Sequence, residues 1–181
     1  MDFKLVLQKL LVAFDRSGVK YALIGGFAMG LWGAGRSTVD IDFLADRDDI
    51  DQIDVIMKKL GYQCRFQTEN VGQYVSDLNV FGEVDFLYAF RPVSLGMLKR
   101  AGKKEIFNGA LKIRVLKPED IIGLKLQAIN NDPVRQKQDL PDIEALMSLH
   151  RNKLDWKLLK KYFSMFEMAN VYNKLYRSYG L

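Results

Sequence analysis

Two aspartates alternate with apolar residues in the short segment 39–44, which reads Val-Asp-Ile-Asp-Phe-Leu. Alternation with a period of two residues is typical of a β-strand, whose successive side chains point to opposite faces of the sheet. This strand would bury one apolar face and carry Asp40 and Asp42 on the other. Taken alone, this segment fits an edge strand with one solvated face. Because two neighbouring carboxylates repel each other unless a cation lies between them, the same acids together with Gly25-Gly26 and Asp85 favour a metal site.

The ligands that the chain can offer restrict the kind of metal. A zinc site built from cysteine and histidine side chains is excluded, because the sequence has one cysteine, Cys64, and one histidine, His150. Carboxylate oxygens favour Mg²⁺ or Mn²⁺. Since Mg²⁺ usually binds through a few carboxylates together with the phosphates of a substrate, a phosphate site should lie nearby.

A glycine pair supplies the predicted phosphate site. The apolar run 21–24 ends at Gly25-Gly26, after which Phe27, Ala28 and Leu31 follow a helical period. This order predicts a strand, a glycine turn and a helix. Glycine lets the backbone approach a ligand closely, and backbone N–H groups at the start of a helix bind phosphate.

Hydrophobic periodicity predicts the other elements of the first two thirds of the chain. The expected helices cover residues 3–16, 48–59 and 94–101. The expected strands cover residues 62–66, 73–80 and 83–88, with two more on either side of the hairpin signal Asn108-Gly109. The strand 83–88 again sets one acid, Asp85, among apolar neighbours.

From Pro118 onward the pattern is helical. One helix is expected from Pro118, one after Pro141, one opened by Asp155 and one that ends near Tyr179. Asp139 and Asp142 are acids at a helix N-terminus, where they complement the helix dipole without a catalytic role. We therefore predict an α+β core over residues 1–116 and a C-terminal helical part over 117–181 that packs on this core.

Composition and charge bound the function. Hydrophobic residues make up 49% of the chain and charged residues 27%, which excludes a mainly disordered protein. The net charge of +5 suits a polyanionic partner such as a nucleotide or RNA. The longest uncharged run, 21–35, is shorter than the roughly 20 apolar residues of a membrane span, so no membrane partner is expected. A single cysteine cannot form an internal disulfide, which favours the cytoplasm.

The three acids and the glycine pair occur in a recognisable order: Ile24-Gly25-Gly26, then Asp40-Ile41-Asp42, then Asp85. In this order the chain resembles the DNA polymerase beta-like nucleotidyltransferases, over about residues 20–148. Within that superfamily it is most similar to the small bacterial group around the AbiEii-type toxins. That closer likeness rests on Arg36-Ser37-Thr38, on the stretch 117–125, and on Arg135, Lys137 and the segment 139–142.

The resemblance implies a mixed β-sheet flanked by helices, and it implies roles for particular residues. Asp40, Asp42 and Asp85 would be catalytic and would hold two Mg²⁺ (or Mn²⁺) ions. The nucleoside triphosphate would be bound by Gly25 and Gly26 through the backbone, and by the side chains of Arg36, Ser37, Thr38 and Lys125. Many relatives have serine at the position of Gly26, so the hydroxyl that contacts phosphate would come from Ser37 or Thr38.

The implied activity is transfer of a nucleoside monophosphate from a triphosphate to a hydroxyl acceptor, with release of pyrophosphate. The acceptor stays open between tRNA, a protein and a small molecule such as an antibiotic. The toxin-like resemblance adds a toxin-antitoxin role, and with it an antitoxin partner. The alternative is a catalytically silent nucleotide-binding module that acts as a sensor or regulatory partner.

Overall fold

The computed structural model describes residues 1–35 and 37–180. These residues form eight α-helices, seven β-strands and two short 3₁₀ turns, at Arg47–Asp49 and Pro133–Arg135. The strands are β1 (Tyr21–Ile24), β2 (Asp40–Asp46), β3 (Gln63–Gln67), β4 (Val71–Val75), β5 (Glu83–Ala89), β6 (Gly102–Ile106) and β7 (Leu111–Val115). The helices are α1 (Phe3–Ser17), α2 (Gly25–Leu31), α3 (Ile50–Lys59), α4 (Pro92–Arg100), α5 (Pro118–Asn131), α6 (Gln136–His150), α7 (Trp156–Met165) and α8 (Ala169–Tyr179). The predicted α+β fold is confirmed.

All seven strands belong to one mixed sheet, in the order β3-β4-β5-β2-β1-β7-β6. Strand β2 runs antiparallel to β1 and parallel to β5, so it lies at the centre of the sheet. Strand β7 runs parallel to β1, whereas β4 and β6 join their neighbours as antiparallel strands. The consecutive strands β1 and β2 therefore form the middle of the sheet, and each pairs on its other side with a strand that is distant in sequence.

The two faces of the central strands differ in chemistry. On one face, Phe43 of β2 stacks on Phe86 of β5 with ring centroids 5.6 Å apart, and Phe14 of α1 meets both rings. Helix α1 buries the apolar stripe that its sequence predicts, which comprises Val6, Leu7, Leu10, Leu11 and Phe14. Because side chains alternate along a strand, Asp40 and Asp42 point to the opposite face.

Most element boundaries lie within about two residues of those predicted, and two differ by more. Strand β4 ends at Val75 rather than continuing to residue 80, because the Ser76 hydroxyl accepts a hydrogen bond from the Leu78 N–H and closes a turn. Helix α6 begins at Gln136 and contains Pro141, whereas the sequence predicted a start after this proline. Asp139 and Asp142, on either side of Pro141, both pair with Lys125 of α5, and these ion pairs stabilise the turn that contains the proline.

The chain divides into two units. The first contains Met1–Ala28 and Arg36–Leu116 with the whole sheet, and the second contains Met29–Gly35 and Lys117–Leu181. The second unit buries polar as well as apolar side chains: the Tyr162 hydroxyl donates to Asp120, and the Asp155 N–H donates to Glu119. That the helical part packs on the core stays a prediction. No helix in the described residues is long and apolar enough to cross a membrane.

Candidate active site

Three carboxylates meet at the end of the central strands. Asp40 and Asp42 lie two residues apart on β2 and share a face of the sheet. Asp85 lies directly across from Asp42 in the parallel register of β2 and β5. One oxygen from each of the three carboxylates lies within 4.8 Å of the others. The structure thus brings together the three acids that the sequence predicted.

The electrostatics of this cluster favour a bound cation. The pKa of Asp85 is raised from 3.8 to about 6. Burial is the largest cause, and the nearby negative charges of Asp40 and Glu83 also raise the pKa. The Arg65 charge and the Gln73 side chain act in the opposite direction. Because three half-buried acids concentrate negative charge, and because all the donors are oxygens, the cluster fits Mg²⁺ or Mn²⁺.

Gly25 forms the wall of the cluster beside Asp42. It follows β1, where Ile24 pairs with Asp42, and it adopts a positive φ of 65° that side chains rarely tolerate. A Cβ built on Gly25 would overlap the carboxylate of Asp42. Two independent constraints, backbone conformation and space, therefore require glycine here.

Gly26 makes room for Thr38. A Cβ at position 26 would lie 2.9 Å from both Cβ and Oγ1 of Thr38. The Thr38 hydroxyl donates a short hydrogen bond of 2.6 Å to Oδ1 of Asp40. The segment before β2 is therefore tied to the glycine turn on one side and to the first aspartate on the other.

The remaining predicted nucleotide-binding residues have different surroundings. Ser37 is exposed. Arg36 lies outside the described residues. Lys125 belongs to α5 in the second unit, where its ammonium donates to Asp139 at 2.7 Å and to Asp142 at 2.6 Å. That Arg36, Ser37 and Lys125 contact the nucleotide stays a prediction.

Lys125 is the centre of a buried ion-pair network. The second oxygen of Asp139 accepts a hydrogen bond from Arg135 Nε at 2.9 Å, and the Asp139 side chain is 1% exposed. Two cations and two carboxylates balance in charge, which is the usual condition for burying such groups. The network connects α5 to α6, so Asp139 and Asp142 have a structural role in this unit.

Sequence reasoning missed Gln73 as a neighbour of the acids, and it named Thr38 only as a nucleotide-binding residue. Gln73 on β4 lies across from Asp85 on β5, and its side chain moderates the pKa of Asp85. The bond between Thr38 and Asp40 was missed as well. A polar residue two positions before an acidic strand was visible in the sequence, whereas the partner of Asp85 depends on strand register.

Comparisons with known proteins agree on the fold. No protein-family model matches the chain, and no curated protein matches it. The solution structure of the antibiotic-resistance factor ANT(2'')-Ia is 17% identical, with a TM-score of 0.62 over 98% of this chain and 99% of that one. The crystal structure of ANT(2'')-Ia with adenylyl-2''-tobramycin is 15% identical, with a TM-score of 0.62 over 89% of this chain and 94% of that one.

A second antibiotic-modifying protein has a similar structure. The lincosamide antibiotic adenylyltransferase LnuA, solved with lincomycin, is 16% identical, with a TM-score of 0.55 over 79% of this chain and 95% of that one. At these low identities the comparisons establish a shared fold. The chain therefore has the α+β fold of these nucleotidyltransferases.

Proposed function

We propose that this chain is a metal-dependent nucleotidyltransferase that moves a nucleoside monophosphate from a triphosphate to a hydroxyl acceptor. One observation carries the proposal: one carboxylate oxygen from each of Asp40, Asp42 and Asp85 lies within 4.8 Å of the others. This cluster occurs in a fold shared with nucleotidyltransferases. Fold alone does not determine function, so the acids and not the likeness carry the assignment.

Asp40, Asp42 and Asp85 would hold Mg²⁺ or Mn²⁺. Such ions, when bound, neutralise phosphate charge and make an acceptor hydroxyl easier to deprotonate. Asp42 lies next to β1 on one side and next to Asp85 of β5 on the other, so it is the acid at the middle of the cluster. Attack of the acceptor oxygen on the α-phosphorus forms one P–O bond and breaks the bond to pyrophosphate, which leaves.

The glycine turn and the segment before β2 would bind the triphosphate. Gly25 and Gly26 offer backbone N–H groups without a side chain in the way. Arg36 and Ser37 precede the acids in sequence and would supply a charge and a hydroxyl. A phosphate contact by Lys125 would require its ammonium to leave one of its two ion pairs.

A small hydroxyl-bearing molecule is the first acceptor class to test. ANT(2'')-Ia was solved with the adenylylated antibiotic adenylyl-2''-tobramycin, and the lincosamide antibiotic adenylyltransferase LnuA was solved with lincomycin. ANT(2'')-Ia also aligns with this chain almost from end to end. A tRNA or protein acceptor, and the role of a toxin with an antitoxin partner, would follow from the sequence resemblance and belong in the same panel.

Transfer of label from each α-labelled nucleoside triphosphate tests the proposal. Aminoglycosides, lincosamides, tRNA and lysate protein serve as acceptors, with Mg²⁺ or Mn²⁺. We expect label with the wild type and none with Asp42→Asn, which keeps the size of the side chain. Asp46→Asn, at the opposite end of β2, is the matched control and should retain transfer. Nucleotide binding without any transfer would support the silent sensor module instead.

A further inference from the structure

The hydroxyl of Thr38 is committed to Asp40. Its Oγ1 lies 2.6 Å from Oδ1 of Asp40, which is a short distance for a hydrogen bond to a carboxylate. The same oxygen is 3.4 Å from the backbone carbonyl of Asp40, a much weaker contact. A threonine hydroxyl carries one proton, so this geometry assigns that proton to the Asp40 carboxylate.

This assignment limits what Thr38 can do for a nucleotide. Phosphate oxygens accept hydrogen bonds and do not donate them. Because the proton of Thr38 is already donated to Asp40, the hydroxyl has none left for a phosphate. The predicted role of Thr38 as a direct phosphate ligand therefore conflicts with its bond to Asp40.

The glycine turn fixes Thr38 from the other side. The Cβ and Oγ1 of Thr38 both lie 2.9 Å from the place where a Cβ of residue 26 would be. Any side chain at position 26 would push Thr38 away from its present position. Thr38 is thus held between Gly26 and Asp40, and its position is set by packing as well as by the hydrogen bond.

We propose that Thr38 is a positioning residue for the metal site, which holds the Asp40 carboxylate in the orientation that binds the cation. The inference rests on the proposed function. The hydrogen bond of Thr38 to Oδ1 restrains the rotation of the Asp40 carboxylate and leaves Oδ2 outside this bond. It also keeps Asp40 beside Asp42 and Asp85, against their mutual repulsion, before any metal binds. Hydrogen-bond partners of this kind change metal affinity by about 10–100-fold.

Titration of the nucleotide-free protein with Mn²⁺, followed by electron paramagnetic resonance, tests this role without any turnover. Thr38→Val keeps the shape of the side chain but removes the donor, and we expect its Mn²⁺ affinity to fall about 10–100-fold. Thr38→Ser keeps the hydroxyl and should stay within about threefold of the wild type. The matched control is Thr68→Val, since Thr68 lies in an exposed turn and its hydroxyl accepts backbone N–H groups.

The outcomes separate this inference from the proposed function. Unchanged Mn²⁺ affinity in Thr38→Val, with a raised KM for the nucleotide, would overturn the inference and make Thr38 a phosphate ligand. A wild type that binds Mn²⁺ no better than Asp42→Asn, both without and with a nucleoside triphosphate, would overturn the proposed function itself. If Thr38→Val does not fold, as judged by circular dichroism, Thr38→Ala is measured in its place with the same expectation.

Discussion

Gly25 packs against the carboxylate of Asp42 so closely that no side chain fits between them. Gly25 directly follows β1 as the first residue of α2, and Asp42 belongs to β2, the antiparallel neighbour of β1. The backbone of one strand therefore forms part of the wall around an acid of the next. A change at Gly25 should affect metal binding although glycine offers no ligand atom from a side chain.

We expect Gly25→Ala to weaken Mn²⁺ binding by about tenfold or more, because its Cβ would displace the Asp42 carboxylate. Backbone strain alone costs about 1–2 kcal/mol at a positive φ. Gly18→Ala is the matched control: Gly18 has a φ of 71°, and a Cβ there meets nothing within 4 Å. This control should lose stability without losing Mn²⁺ affinity. Equal Mn²⁺ affinity of Gly25→Ala and the wild type would contradict the role assigned to Gly25.

Gly26→Ala should reduce both stability and metal affinity. Its Cβ would crowd Thr38, and overpacking of this kind costs about 1–3 kcal/mol. The displaced Thr38 would then lose its bond to Asp40. Gly30→Ala lies in the same helix, where a Cβ meets nothing within 4 Å, and should be neutral or stabilising by up to about 1 kcal/mol. Urea unfolding and Mn²⁺ titration of the two variants check the contrast.

Asp85 makes the stability of the metal-free protein depend on pH. Its pKa is raised from 3.8 to about 6, so between these values the folded protein holds a proton that the unfolded chain releases. The free energy of unfolding contributed by Asp85 therefore falls as the pH rises through this window. Asp85→Asn should lack this contribution. Urea unfolding in EDTA at about pH 4.5 and about pH 7.5 measures this contribution in the wild type and in Asp85→Asn. An equal pH dependence of the free energy of unfolding in the two proteins would contradict the role of Asp85.

Lys125→Met should destabilise the second unit by about 3–5 kcal/mol, because it leaves Asp139 and Asp142 without their shared cation in a buried place. The matched control is Lys58→Met. Lys58 also lies 2.6 Å from its partner Asp54, but its side chain is 64% exposed. That substitution should cost less than about 1 kcal/mol. Urea unfolding measures the loss of stability in both variants. Similar losses would mean that the buried ion pairs stabilise the protein no more than the exposed one.

The three acids were predictable from sequence because each lies on a strand among apolar residues, which is an uncommon pattern. Their meeting at one point was not predictable from spacing alone. It depends on the parallel register that sets Asp42 opposite Asp85, and a slip of one residue would turn Asp85 toward Phe14 and Phe43. The resemblance to nucleotidyltransferases implied that the three acids meet, without giving the strand register that brings them together.

Local sequence patterns predicted that the helices exist, but they predicted the first residue of each helix less well. Asp155 does open α7, where its side chain accepts from the Leu158 N–H. The predicted start of α6 was wrong because proline usually interrupts a helix, so Pro141 indicated that the helix begins after it. Its neighbours Asp139 and Asp142 pair with Lys125 on α5, and a contact between two helices cannot be read from one helix alone.

Because Gly26 and Thr38 pack against each other, substitutions at these two positions should depend on one another. A larger residue at position 26 would be accepted only together with a smaller one at 38, or with a shift of the segment before β2. If relatives place a hydroxyl at the first position, they should tend to lose bulk at the second. Pairwise exchange between these two positions, rather than independent drift, is the trace this packing should leave among homologous sequences.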